Sequence, residues 1–87
     1  MGQDNGFLKE QYQTDARLRI EKLKQKIRTT QHNMEISCEI IGGTPSDTTR
    51  SRLIEQNNRR ARALGALKKE IQDVERRAEE RGREVST

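Results

Sequence analysis

The sequence predicts an all-α fold, a two-helix antiparallel hairpin of coiled-coil type. Three observations predict it. Apolar residues recur at alternating steps of three and four along two long segments, the period of one helix packed along another. A helix stop, Gly42-Gly43, is followed at once by a helix start, Thr44-Pro45-Ser46-Asp47. The composition then restricts the core to one narrow seam, because only 29% of residues are hydrophobic, 37% are charged, and Phe and Tyr occur once each. So few apolar groups cannot fill a compact sphere against the entropy of the chain.

A chain of 87 residues makes a single domain. Residues 1–6 are polar with two glycines and read as a loose terminus. The first helix is expected over about 7–41. Its seam is Tyr12, Ala16, Ile20, Leu23, Ile27, Thr30, Met34, then Ser37 or Cys38, then Ile41. Lys22, Lys24, Lys26 and Arg28 stand outward, with Glu10, Asp15 and Glu21.

The turn is expected at 42–44. Glycine just past a helix accepts the left-handed backbone at no steric cost. Thr44 is placed to cap the next helix, Pro45 sits where a missing N–H costs nothing, and Asp47 follows three residues after the cap. So short a link favours antiparallel neighbours.

The second helix is expected over about 45–81. Its seam is Ile54, Asn57, Ala61, Leu64, Leu67, Ile71, Val74 and Ala78. Gly65 costs about 1 kcal/mol relative to Ala inside a helix, so it reads as a point of close helix approach. Residues 82–87 read as a frayed end. Two seams of about 30 residues imply a rod of roughly 45 Å. Two helices alone bury little, so pairing of two hairpins into a four-helix bundle is an expectation. Phe7, Leu8, Leu18, Ile36, Ile40 and Leu53 lie off or beside the seams and widen the apolar face.

Few residues offer chemistry. His32 is the lone histidine, in a polar stretch, and reads as an exposed helical residue. Cys38 is the lone cysteine, so an internal disulfide and a multi-Cys zinc site are excluded; it reads as a small buried hydrophobe. Gly42-Gly43 follows a helix rather than a strand and lacks the Gly-Lys-Ser/Thr ending of a phosphate loop. Two aromatic residues make no stacking platform for single-stranded nucleic acid. The chain is therefore expected to be non-enzymatic, with no catalytic residue, no metal and no cofactor.

Two sets of residues are candidates for binding. The first is a partner or oligomer seam of Ile20, Leu23, Ile27, Met34, Ile41, Leu64, Leu67, Ile71 and Val74. The second is a basic face. Between Arg50 and Lys69 seven basic residues stand against Glu55 alone. Arg52, Arg59, Arg60 and Lys69 are its candidate phosphate contacts, giving non-specific nucleic-acid binding; acids on the other helix, Asp15, Glu35 and Glu39, would offset that charge. Asn57 at a seam position either fixes register and partner, as polar seam residues do, or marks a seam that is weak near the turn. Net charge is +4 with both signs interleaved, which suits a solvated helix surface. No apolar run approaches the roughly 18 residues a membrane span needs, and the start shows neither a signal-peptide core nor a myristoylation signal. A cytoplasmic or other internal compartment is expected, with a protein partner or self-association.

The second helix resembles the small acid-soluble spore protein Tlp family. The resemblance lies in Glu55-Gln56-Asn57-Asn58-Arg59-Arg60, then Leu64 and Leu67, then Glu70-Ile71-Gln72-Asp73. In that family a Glu-x-Asn-x-Arg-Arg segment runs into a Leu/Ile-rich helix with a Glu-Ile-x-Asp ending. Glu21-Lys22-Leu23, Thr30, Asn33 and Glu35 fit its first helix. The resemblance covers about residues 20–75, with a small gap near the turn. The first dozen residues, the tail and the more basic charge depart from the family pattern. The resemblance implies a small accessory protein packaged in the core of bacterial spores, without catalysis. Ile20-Glu21-x-Leu23 and Ile27 also resemble the opening of the two-helix fingers that bind Rho-type GTPases, although Ile36-Ser37 stands where those modules carry Gly-Ala. Syntaxin-like helical domains are a weaker likeness. These imply the alternative function, an antiparallel coiled-coil adaptor.

Overall fold

The computed structural model describes the backbone of residues 2–86 and the side chains of residues 10, 11 and 13–83. Two helices account for it: α1, Gly2–Gly43, and α2, Asp47–Ser86, of 42 and 40 residues. They pack side by side in opposite directions. Arg19 meets Glu70, Ser37 meets Arg60 and Ile41 meets Arg50, so positions on α2 fall as those on α1 rise. The rod measures 69 × 15 × 12 Å. It is longer than the seams alone imply because both helices outrun them. α1 is helical from Gly2, where the sequence suggested a loose terminus, and α2 continues past Gly82. Extending an existing helix costs far less than starting one, and no proline stands in either segment.

The turn is built differently from its sequence reading. Gly42 and Gly43 are the last residues of α1, and neither has positive φ. The helical ladder runs through them to a Thr44 N–H bond on the Ile40 carbonyl, 2.8 Å. Pro45 ends it, since proline has no N–H to offer and forces the residue before it out of helical conformation. The cap is Ser46, not Thr44. Ser46 Oγ accepts from the Thr49 N–H at 3.2 Å, and its carbonyl accepts the first bond of α2 from Arg50 N–H at 3.0 Å. Thr44 Oγ1 instead accepts from Ser46 N–H, 3.2 Å, tightening the bend.

Arg50 locks this arrangement. Its Nη2 donates to the Thr44 carbonyl (2.7 Å), its Nε to the Ile41 carbonyl (3.4 Å) and its Nη1 to Asp47 Oδ1 (2.8 Å). The last turn of α1 carries no basic residue of its own. A guanidinium from α2 therefore satisfies carbonyls left open at the end of α1 and supplies the positive charge that end favours.

Between the helices, Leu23 and Val74 are buried, each 6% exposed, and so is Ser37, at 5%. Ala16, Ile20, Ile27, Thr30, Met34 and Ile41 are half-buried on α1; Leu53, Asn57, Arg60, Leu64, Leu67, Ile71 and Ala78 are half-buried on α2. The four-three rhythm on α2 thus runs through Leu53 and Arg60. Ile54 and Ala61, the residues expected there, are exposed. On α1 the choice between Ser37 and Cys38 falls to Ser37, and Cys38 is exposed. Gly65 is not a close approach: it is exposed, and a Cβ there would meet nothing within 4 Å. The chain exposes 6778 Å², against about 5,300 Å² for a compact protein of its mass.

Two outcomes follow for stability. Arg50→Ala should cost about 1–2 kcal/mol, the loss of hydrogen bonds from a charged donor, and lower the thermal midpoint followed by circular dichroism by roughly 4–8 °C per kcal/mol. Gly65→Ala should stabilise by about 1 kcal/mol in the same melt, since nothing opposes the new methyl group.

Candidate functional site

Apart from Thr30, the described seam is hydrophobic except for one polar layer near the turn. Arg60 Nη1 donates to Ser37 Oγ at 2.8 Å and to Asn57 Oδ1 at 2.9 Å. Asn57 Nδ2 donates to the Met34 carbonyl at 3.3 Å and to Cys38 Sγ at 3.6 Å. All but the Arg60–Asn57 bond, which lies within α2, cross from α2 to α1, and no buried side-chain nitrogen or oxygen among the described residues lacks a partner. The layer satisfies itself at one alignment of the helices. A shift of either helix by a turn would set buried Ser37 and half-buried Asn57 opposite apolar side chains, at about 1–3 kcal/mol for a fully buried group left unsatisfied. Asn57 therefore specifies register here.

Of the proposed phosphate contacts, the structure keeps three outside and turns one in. Arg52, Arg59 and Lys69 are exposed on α2. Arg60 points into the seam and belongs to the polar layer. Arg50, counted in the same basic run, is committed to the turn. Arg62 joins the outward group, because Arg52 and Arg59, and likewise Arg62 and Lys69, stand seven residues apart on the solvated side. Arg59 Nη2 is paired within its own helix to Glu55 at 2.8 Å. An ion pair of Arg19 with Glu70, 3.1 Å, bridges the helices.

The nine seam residues named from sequence face the other helix of the same chain, Leu23 and Val74 buried and the other seven half-buried. The apolar surface left outside is a different set: Leu18 (59% exposed), Ile36, Ile40 and Ile54. Phe7, Leu8 and Tyr12 have side chains outside the described set. His32 is exposed. No group of three or more His, Cys, Asp or Glu side chains among the described residues converges as metal ligands would, and no described helix is long and apolar enough to cross a membrane.

Arg60 was missed as a seam residue because a charged side chain does not match an apolar template, and Leu53 because its apolar neighbour Ile54 took the seam position. The signal was present: 53, 57, 60, 64, 67, 71, 74 and 78 keep strict four-three steps, whereas a seam through Ile54 and Ala61 does not. The turn end hides one further signal, the Ser46-to-Thr49 capping distance.

Fold and surface together define an all-helical two-helix protein with a self-satisfied polar layer and an outward basic side. Within that class, the chain belongs to the small, acid-soluble spore protein Tlp family, whose model matches residues 13–81. This is wider than the 20–75 stretch legible by eye and takes in the open end of the hairpin. A Protein Tlp homolog from the Okra type B1 strain of Clostridium botulinum is 39% identical over 62 residues, covering 71% of this chain and 83% of that protein. Its counterparts from the Hall type A strain and the Langeland type F strain are 37% and 36% identical over the same coverage. No solved structure matches the chain. Family membership makes this a spore protein.

Removing the polar layer tests its role. Arg60→Ala should destabilise the hairpin by about 1–3 kcal/mol, leaving Ser37 and Asn57 short of a partner. Replacing Asn57 and Arg60 together by Leu should raise the melting midpoint while multi-angle light scattering shows species of higher mass, as register and pairing lose their restraint.

Proposed function

We propose that this protein is a non-enzymatic packaging component of the spore core. The observation that carries the reading is family membership over residues 13–81, on a chain whose described residues form a slender hairpin with its polar groups either mutually bonded or solvated. Such a rod offers mostly surface. Its outward side on α2, with Arg52, Arg59, Arg62 and Lys69, suits non-specific contact with a polyanion such as nucleic acid. Exposed Ile36, Ile40 and Ile54 near the turn suit contact with a protein, including a second copy.

The packaging reading predicts that acid extraction of disrupted spores recovers the protein, and that growing cells of the same strain lack it. Equal amounts in growing cells would count against it. The polyanion contact has its own measure. With duplex DNA, log affinity should fall linearly with log salt, and changing Arg52 and Arg59 to Ala should flatten the slope by roughly 1.8. An unchanged slope, or no binding at low salt, removes nucleic acid as the partner of this side.

A further inference from the structure

Among the described residues, the seam thins to alanine on the side away from the turn. Ala16 on α1 and Ala78 on α2 line the same hollow, which has a volume of about 210 Å³. Alanine has no side chain beyond Cβ to fill the space between the helices, so the hollow stays open to solvent above an apolar floor. Its charged lining is Arg19, Arg77, Arg81 and Asp15, and Arg81 has an interaction of its own. Arg77 and Arg81 lie four residues apart, on one side of α2; Arg19 comes from the opposite helix. Arg19 uses one Nη on Glu70, 3.1 Å away, and a guanidinium has five donor hydrogens in all. Arg77 makes no hydrogen bond or ion pair with any described residue.

From this geometry we infer that the hollow binds a phosphate group, gripped between Arg77 and Arg19 with Arg81 at one end. Guanidinium groups approaching from two sides present planar forks that match a tetrahedral oxyanion, which a single lysine does not. The apolar floor strengthens those bonds by displacing water from one side of the ligand. The outward side of α2 differs in kind. Arg52 and Arg59 project from a convex helix surface, and neither lines the hollow.

The test uses the full chain labelled with nitrogen-15 at constant ionic strength. Inorganic phosphate is titrated in, with chloride as the reference anion, and a short DNA duplex in a parallel series. Amide shifts should concentrate at residues 15–19 and 77–81, saturate with phosphate and not with chloride, and weaken at least tenfold in Arg77→Gln. Ala78→Leu keeps all three arginines and fills the floor; it should abolish the shifts while retaining helicity by circular dichroism, which separates loss of the hollow from loss of the fold. If the duplex moves these same amides and inorganic phosphate does not, with the same loss in Arg77→Gln, the phosphate group is that of a nucleic-acid backbone and the site stands. Shifts confined to the outward side of α2, shifts equal for chloride and phosphate, or shifts that survive both variants overturn the proposal.

Discussion

The Arg50 guanidinium holds the place where the chain reverses. Three of its bonds converge on one bend, joining two carbonyls of α1 and its C-terminal link to a carboxylate in the first turn of α2. The bend fixes which residue of one helix stands level with which of the other, and every layer of the seam inherits that alignment. The polar layer of Ser37, Asn57 and Arg60 repeats the choice two turns further along. A seam with two buried hydrophobic side chains has little energy with which to select among alignments; directional hydrogen bonds do the selecting, because their geometry tolerates no shift.

The hairpin was legible in the sequence because the seam period and the proline are local, strong signals. On α1, Ile20, Leu23, Ile27, Met34 and Ile41 all turn toward α2 as their spacing requires. What stayed hidden was the part decided by tertiary contact. The glycines before Pro45 looked like the stop, yet the backbone passes through them in helical conformation, and the proline alone ends the ladder. Thr44 and Ser46 are both good caps, and only the path of the bend decides between them. Arg60 was read as surface because arginine usually is; its long stem lets it cross the seam and place a guanidinium on Ser37. Cys38 lost its expected burial to a neighbour one position away, a difference that periodicity of three and four leaves open.

The basic residues show the same division of labour. Arg50 and Arg60 act inside the fold, Arg59 rests on Glu55, and Arg19 bridges to Glu70. A count of positive charge along the sequence treats all of them alike. The structure separates those that hold the hairpin together from those left to face solvent.

The graded seam gives the molecule a direction of assembly. Near the turn, Arg50 reaches a residue nine positions away; at the Glu70 bridge the separation is 51. Closing the longer loop from an open chain costs about 1.5 kcal/mol more in entropy, and among the described residues beyond it the seam narrows to Val74 and the alanines Ala16 and Ala78. Contacts that form early therefore lie beside Pro45, and each new layer shortens the loop left for the next. The two strands of the rod close like a zip from the bend, and thermal opening travels the other way, reaching Ser37 and Arg60 last.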